Sequence, residues 1–82
     1  MQQDNYTEAE WLELFSENLR HLMIDANMTQ RDLADESGLA ESSISRYLRG
    51  TSMPTVKAII NLTYAFGLDT IDELIDFGGK IR

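Results

Sequence analysis

Arg46 and Arg49, interleaved with Ser42 and Ser45, are the residues of this chain best suited to recognition chemistry. Arginine presents a planar fork of donors that matches the O6/N7 edge of guanine or bridges phosphate oxygens. Serine hydroxyls are small enough to let a helix approach a surface closely, and they bond bases or phosphates. Catalytic chemistry has much less to draw on. His21 is the single histidine, cysteine is absent, and no serine or aspartate is spaced to form a relay with it. A surface or partly packed histidine is the simpler reading. Glu13/Glu17 and Asp72/Asp76 are carboxylate pairs at i,i+4 spacing. Two carboxylates without a loop to gather more oxygens make a poor cation site. With no glycine-rich phosphate loop either, the sequence predicts a protein that is not an enzyme and carries no metal or cofactor.

The elements that must position Arg46 lie within residues 29–50, TQRDLADESGLAESSISRYLRG. Leu33, Ala34 and Ser37 form one apolar or small face before Gly38. Ile44, Tyr47 and Leu48 form a second face after it, with Leu39 in the corner. Steps of three and four predict helices over 30–37 and from 41 to Gly50. A glycine between them supplies the left-handed residue that lets the second helix leave steeply. This is a helix-turn-helix pattern, in which Ile44, Tyr47 and Leu48 turn inward and Ser42, Ser45, Arg46 and Arg49 outward. Thr29 and Asp32 read as a short capping box for the earlier helix.

The flanking segments must supply the core, because two helices so short cannot hold their angle alone. Thr7-Glu8-Ala9-Glu10 is a capping box, with Tyr6 and Trp11 placed for a hydrophobic staple across it. Trp11, Phe15, Leu19, Leu22 and Ala26, widened by Leu12 and Met23, predict a first helix over 8–26 that ends at Asn27. Beyond Pro54, Val56, Ile59, Ile60, Leu62, Thr63 and Phe66 predict a fourth helix, capped by Thr55 and stopped by Gly67. Thr70-Ile71-Asp72-Glu73 is a second Thr/Glu capping box. It opens a fifth helix with Ile71, Leu74, Ile75 and Phe77 apolar, closed by Gly78-Gly79. The fold class expected is all-α, a compact five-helix bundle in a single domain over residues 1–82.

With 43% hydrophobic residues and one proline in 82 residues, the composition is that of a small globular chain. No apolar run approaches a membrane span, the start is acidic and polar, and the lack of cysteine fits a reducing cytoplasm. The net charge of −7 argues against non-specific nucleic-acid binding over the whole surface. Its distribution matters more than its sum. Residues 1–27 carry six acids against one base, whereas Arg46, Arg49 and Lys57 stand against Glu41 alone between Gly38 and residue 57. Glu10, Glu13, Glu17 and Asp25 read either as a solvated face of the first helix or as a surface for a basic protein partner.

Residues 29–50, with Pro54 and the segment ending Ala65-Phe66-Gly67, resemble the phage repressor/Cro-like helix-turn-helix proteins, the XRE group. Residues 19–75 are covered. The matching features are Gln30 opening the second helix, Leu33-Ala34, Gly38-Leu39 in the turn, and Ile44-Ser45-Arg46-Tyr47 with Arg49-Gly50 in the third. The resemblance implies a lambda repressor-like fold and a transcriptional regulator. With no acidic patch placed beside the third helix, a repressor is expected more than an activator. The resemblance also implies a homodimer on a double-stranded DNA operator with half-sites about one helical turn apart. Carried over by position, Glu41, Ser42, Ser45 and Arg46 face base edges. Gln30, Arg31, Ser43, Arg49, Thr51 and Ser52 face phosphates, Gln30 together with the amides of its helix N-terminus.

Four departures bear on that expectation. An arginine of helix one and a glutamate late in helix three commonly pair in the family, and those positions are Met23 and Leu48 here. Exchanging both charges for packing often costs nothing. The N-cap of the recognition helix is Ala40 rather than Ser or Thr, a loss of about 1 kcal/mol. Glu41 favours the helix dipole but repels phosphate unless it accepts from a cytosine amino group. Residues 1–18 extend helix one beyond the family's usual start. The acidic surface and the missing cap also suit an alternative, an antitoxin-like or adaptor module that keeps the fold without binding DNA. Ile71, Leu74, Ile75 and Phe77 either supply a dimer contact or close the core.

Overall fold

Thr7 and Glu10 open the first helix by a reciprocal cap. The Thr7 hydroxyl accepts from the Glu10 N–H at 3.1 Å, and the Glu10 carboxylate accepts from the Thr7 N–H at 2.9 Å. The computed structural model describes residues 6–75, and among them there are five α-helices and no strand. They are α1 (Glu8–Ala26), α2 (Gln30–Ser37), α3 (Glu41–Arg49), α4 (Val56–Ala65) and α5 (Asp72–Ile75).

Local chemistry sets most of these boundaries. Thr29 and Asp32 form the expected capping box at α2, with both bonds at 3.0 Å. Thr55 caps α4 by accepting from the Ala58 N–H. Asn27, Gly38, Gly50 and Gly67 all have positive φ. At α1, α3 and α4 the residue after this left-handed one donates back to the carbonyl five positions earlier: Met28 to Met23, Thr51 to Arg46, Leu68 to Thr63. That is the Schellman arrangement, which satisfies carbonyls the helix itself leaves open.

The principal packing contacts form a ring in which every helix touches two others: α1 with α3 and α5, α2 with α3 and α4, α4 with α5. At its centre Phe15, Leu19, Leu33, Ile44, Leu62 and Leu74 are fully buried. Trp11 stacks on Phe15 with ring centroids 5.1 Å apart, and Tyr47 meets Phe15 edge-on at 6.2 Å. Burying six such side chains, each worth about 1.5–3 kcal/mol, provides the driving force for a domain of this size. Met23 lies in this core and Leu48 packs against it. Two apolar side chains thus stand where the family commonly has an ion pair.

Two expectations about packing need correction. Val56 and Ile60, part of the apolar pattern of α4, are 72% and 38% exposed, whereas Leu62 and Thr63 of the same pattern are buried, joined by Ala58, which the pattern did not include. Ala26, expected in the buried stripe of α1, is exposed at its last turn. At the start of α5 the Glu73 carboxylate accepts from the Asp69 and Thr70 N–H groups at 2.9 and 3.2 Å. Leu74 is wholly enclosed by its own chain, so it presents no surface to a second molecule, whereas Ile71 and Ile75 remain accessible in part. Phe77 and the glycine pair expected to close α5 lie outside the described residues.

Candidate nucleic-acid interface

The face of α3 follows from its burial. Ile44 is fully buried and Tyr47 is 7% exposed. Helical spacing then turns Ser42, Arg46 and Arg49, at i, i+4 and i+7, to the opposite side, and all three are exposed. Glu41 is also exposed at the helix start, while Ser43 and Ser45 are half-buried. Each arginine folds back along the helix. Arg46 donates to the Ser43 hydroxyl at 3.4 Å, and Arg49 donates to the Ser45 hydroxyl at 2.7 Å. Both bonds are exposed to water, so a base edge or a phosphate can compete with the serine for either guanidinium.

The surroundings of α3 place the other expected residues unevenly. Gln30 and Arg31 are exposed in the first turn of α2. Two hydrogen bonds from Thr29, from its N–H and from its hydroxyl, hold the Asp32 carboxyl below the usual carboxylate range. The Thr51 hydroxyl donates to the Arg46 carbonyl at 3.3 Å, and Ser52 is half-buried. At the other end Ala40 has the extended backbone of an N-cap, φ −66° and ψ 142°, but makes no side-chain cap bond.

Two anchors of α3 were not foreseen. Arg20 of α1 donates from Nη2 to the Leu48 carbonyl at 2.9 Å. Gly50 turns its Cα toward α1 closely enough that a β-carbon would lie 3.7 Å from the Leu12 carbonyl oxygen. Both contacts join residues far apart in sequence, and no local pattern announces them. The middle of α1 is also tied to α5, where the Asn18 amide donates to the Leu74 carbonyl at 2.6 Å.

The decisive comparison is with protein families: a model described as helix-turn-helix matches residues 19–72, which include all of α2, α3 and α4. The chain belongs to the XRE-type helix-turn-helix family. It is accordingly a DNA-binding transcriptional regulator, with α2 and α3 as the two helices of the motif. Among solved structures, the restriction-modification controller protein C.AhdI from Aeromonas hydrophila is 30% identical. It superposes with a TM-score of 0.73 over 77% of this chain and 94% of its own. A hypothetical transcription factor, NHTF, from Neisseria shares the fold at 19% identity, with a TM-score of 0.75 over 92% of this chain and 85% of its own. No curated protein matches the sequence significantly. Among the described residues, no helix is long and apolar enough to cross a membrane, and no group of three or more His, Cys, Asp or Glu side chains is gathered to hold a metal ion.

Proposed function

We propose that this helix-turn-helix protein is a sequence-specific regulator, a repressor acting in the cytoplasm, that binds a two-fold operator as a homodimer with α3 in the major groove. The observation that carries this reading is the exposed line of Ser42, Arg46 and Arg49 on the side of α3 opposite the buried Ile44 and Tyr47. Arg46 then pairs with a guanine edge, with Ser42, Ser45 and Glu41 beside it. Arg49, Ser43, Thr51, Ser52, Gln30 and Arg31 hold the backbone. Likeness to a restriction-modification controller protein favours a regulator of gene expression as the role.

The dimer surface is best sought on α4 rather than on α5 alone. Val56, Ile60 and Tyr64 form a stripe at i, i+4 and i+8, and Val56 and Tyr64 are 72% and 78% exposed. Beside the stripe lies a groove of about 300 Å³ lined by Ile60, Tyr64, Leu68 and Ile71. An antiparallel pairing centred on Ile60 sets Val56 of one copy opposite Tyr64 and the groove of the other. It also brings Lys57, near the start of α4, toward the acidic end at Asp69 and Asp72 of the partner copy.

In vitro selection of bound duplexes tests the reading. An enriched palindrome with half-sites about one turn apart supports it. No enrichment at low salt from an intact dimer favours the antitoxin-like or adaptor module, whose support is Glu41 and the uncapped α3.

A further inference from the structure

The last turn of α3 leaves carbonyls that must find partners outside the helix. The Arg46 carbonyl accepts from the Thr51 N–H at 3.1 Å and the Tyr47 carbonyl from the Gly50 N–H at 3.1 Å. The next one, Leu48, accepts from Arg20 at 2.9 Å, across 28 residues of sequence. A cation at this end of the helix also complements its dipole. Close by, Gly50 rests against Leu12 and Ser16 of α1, and Tyr47 meets Phe15 edge-on at 6.2 Å. Leu12, Phe15 and Ser16 precede residue 19, where the family match begins.

We infer that Arg20 is a positioning residue for the recognition helix. Together with the extra turns of α1 it fixes the tilt of α3, a task that the apolar Met23 and Leu48 cannot perform by directional bonding. Packing between apolar surfaces resists separation but is not itself directional. A charge-assisted hydrogen bond to a backbone carbonyl sets a direction. Residues 8–18 are on this view a brace and not an appendage. The inference rests on the DNA-reading role of α3, but part of its test does not.

Arg20→Ala and Arg20→Lys are compared with the unaltered protein by thermal unfolding, by amide hydrogen exchange without DNA, and by fluorescence anisotropy. The anisotropy uses the selected duplex and a scrambled one across a salt series. The brace predicts that Arg20→Ala stays folded and that exchange at Gly50 and Thr51 accelerates about tenfold. Affinity for the selected duplex falls several-fold to tenfold, with scrambled binding and salt slope unchanged, and Lys restores part of the loss. Equal losses on both duplexes, with the salt slope reduced by about one, would make Arg20 a phosphate contact and overturn the inference. Unchanged exchange at Gly50 and Thr51 would overturn it too. If the unaltered protein selects no duplex, the DNA reading falls, while exchange still decides whether Arg20 braces α3.

Discussion

Arg46 and Arg49 are three residues apart on one helix, yet their expected roles differ. A base contact discriminates between sequences, and a phosphate contact does not. Arg49→Ala should therefore weaken binding to every duplex alike and lower the salt slope by about one, as read by anisotropy at several salt concentrations. A loss confined to one base position would reverse the assignment. The outward direction of both side chains was legible in the sequence, because Ile44, Tyr47 and Leu48 mark the inner face at helical spacing. Their bonds to Ser43 and Ser45 were less so, since an exposed arginine can choose among several hydroxyls. Arg20 was not legible at all. Its acceptor is a backbone carbonyl 28 residues away, and backbone groups leave no trace in side-chain patterns.

At the scale of elements, capping chemistry made the boundaries of α1 and α2 readable, since Thr7/Glu10 and Thr29/Asp32 satisfy their own helix starts locally. The orientation of α4 was not. That helix carries apolar side chains all round, at Val56, Ala58, Ile59, Ile60, Leu62, Tyr64 and Ala65, so the sequence holds no phase to say which side meets the core. Packing against α2 and α5 decides it. Ala40 already has N-cap backbone angles and lacks only the hydroxyl. Ala40→Ser should stabilise the protein by about 1 kcal/mol and raise Tm by roughly 4–8 °C, measured by calorimetry. Asp32 is held below its usual range by hydrogen bonds to Thr29, and the sign of the pH effect follows. A carboxyl whose folded pKa is depressed stabilises the fold above about pH 4. It loses that contribution as pH falls through its folded value. Denaturation of Asp32→Asn should thus show a shallower loss of stability in acid than the unaltered protein. Parallel curves would remove the capping role.

For the whole molecule, a net charge of −7 sits uneasily with a polyanionic partner. The cations are concentrated on α3, and screening over ~8 Å at physiological salt weakens the effect there of acids lying beyond that distance. The expected behaviour is a modest affinity with a steep salt dependence and little binding to arbitrary sequences. In the proposed homodimer, joining two half-sites contributes much of the affinity. Tyr64 is 78% exposed, so Tyr64→Glu should leave the fold intact while placing a charge in the proposed interface. Sedimentation should report a folded monomer, with operator affinity lost at least 100-fold as the second half-site becomes independent. A folded dimer would move the interface off α4.

In the proposed complex α3 reads bases through Arg46. Duplex selection carried out side by side with the unaltered protein and with Arg46→Ala addresses this directly. The expected result is one palindromic motif in both experiments, with a single position in each half-site relaxed by the substitution and discrimination there reduced by about 1–3 kcal/mol. An identical motif from both proteins, or a uniform loss that spares every preference, would contradict it.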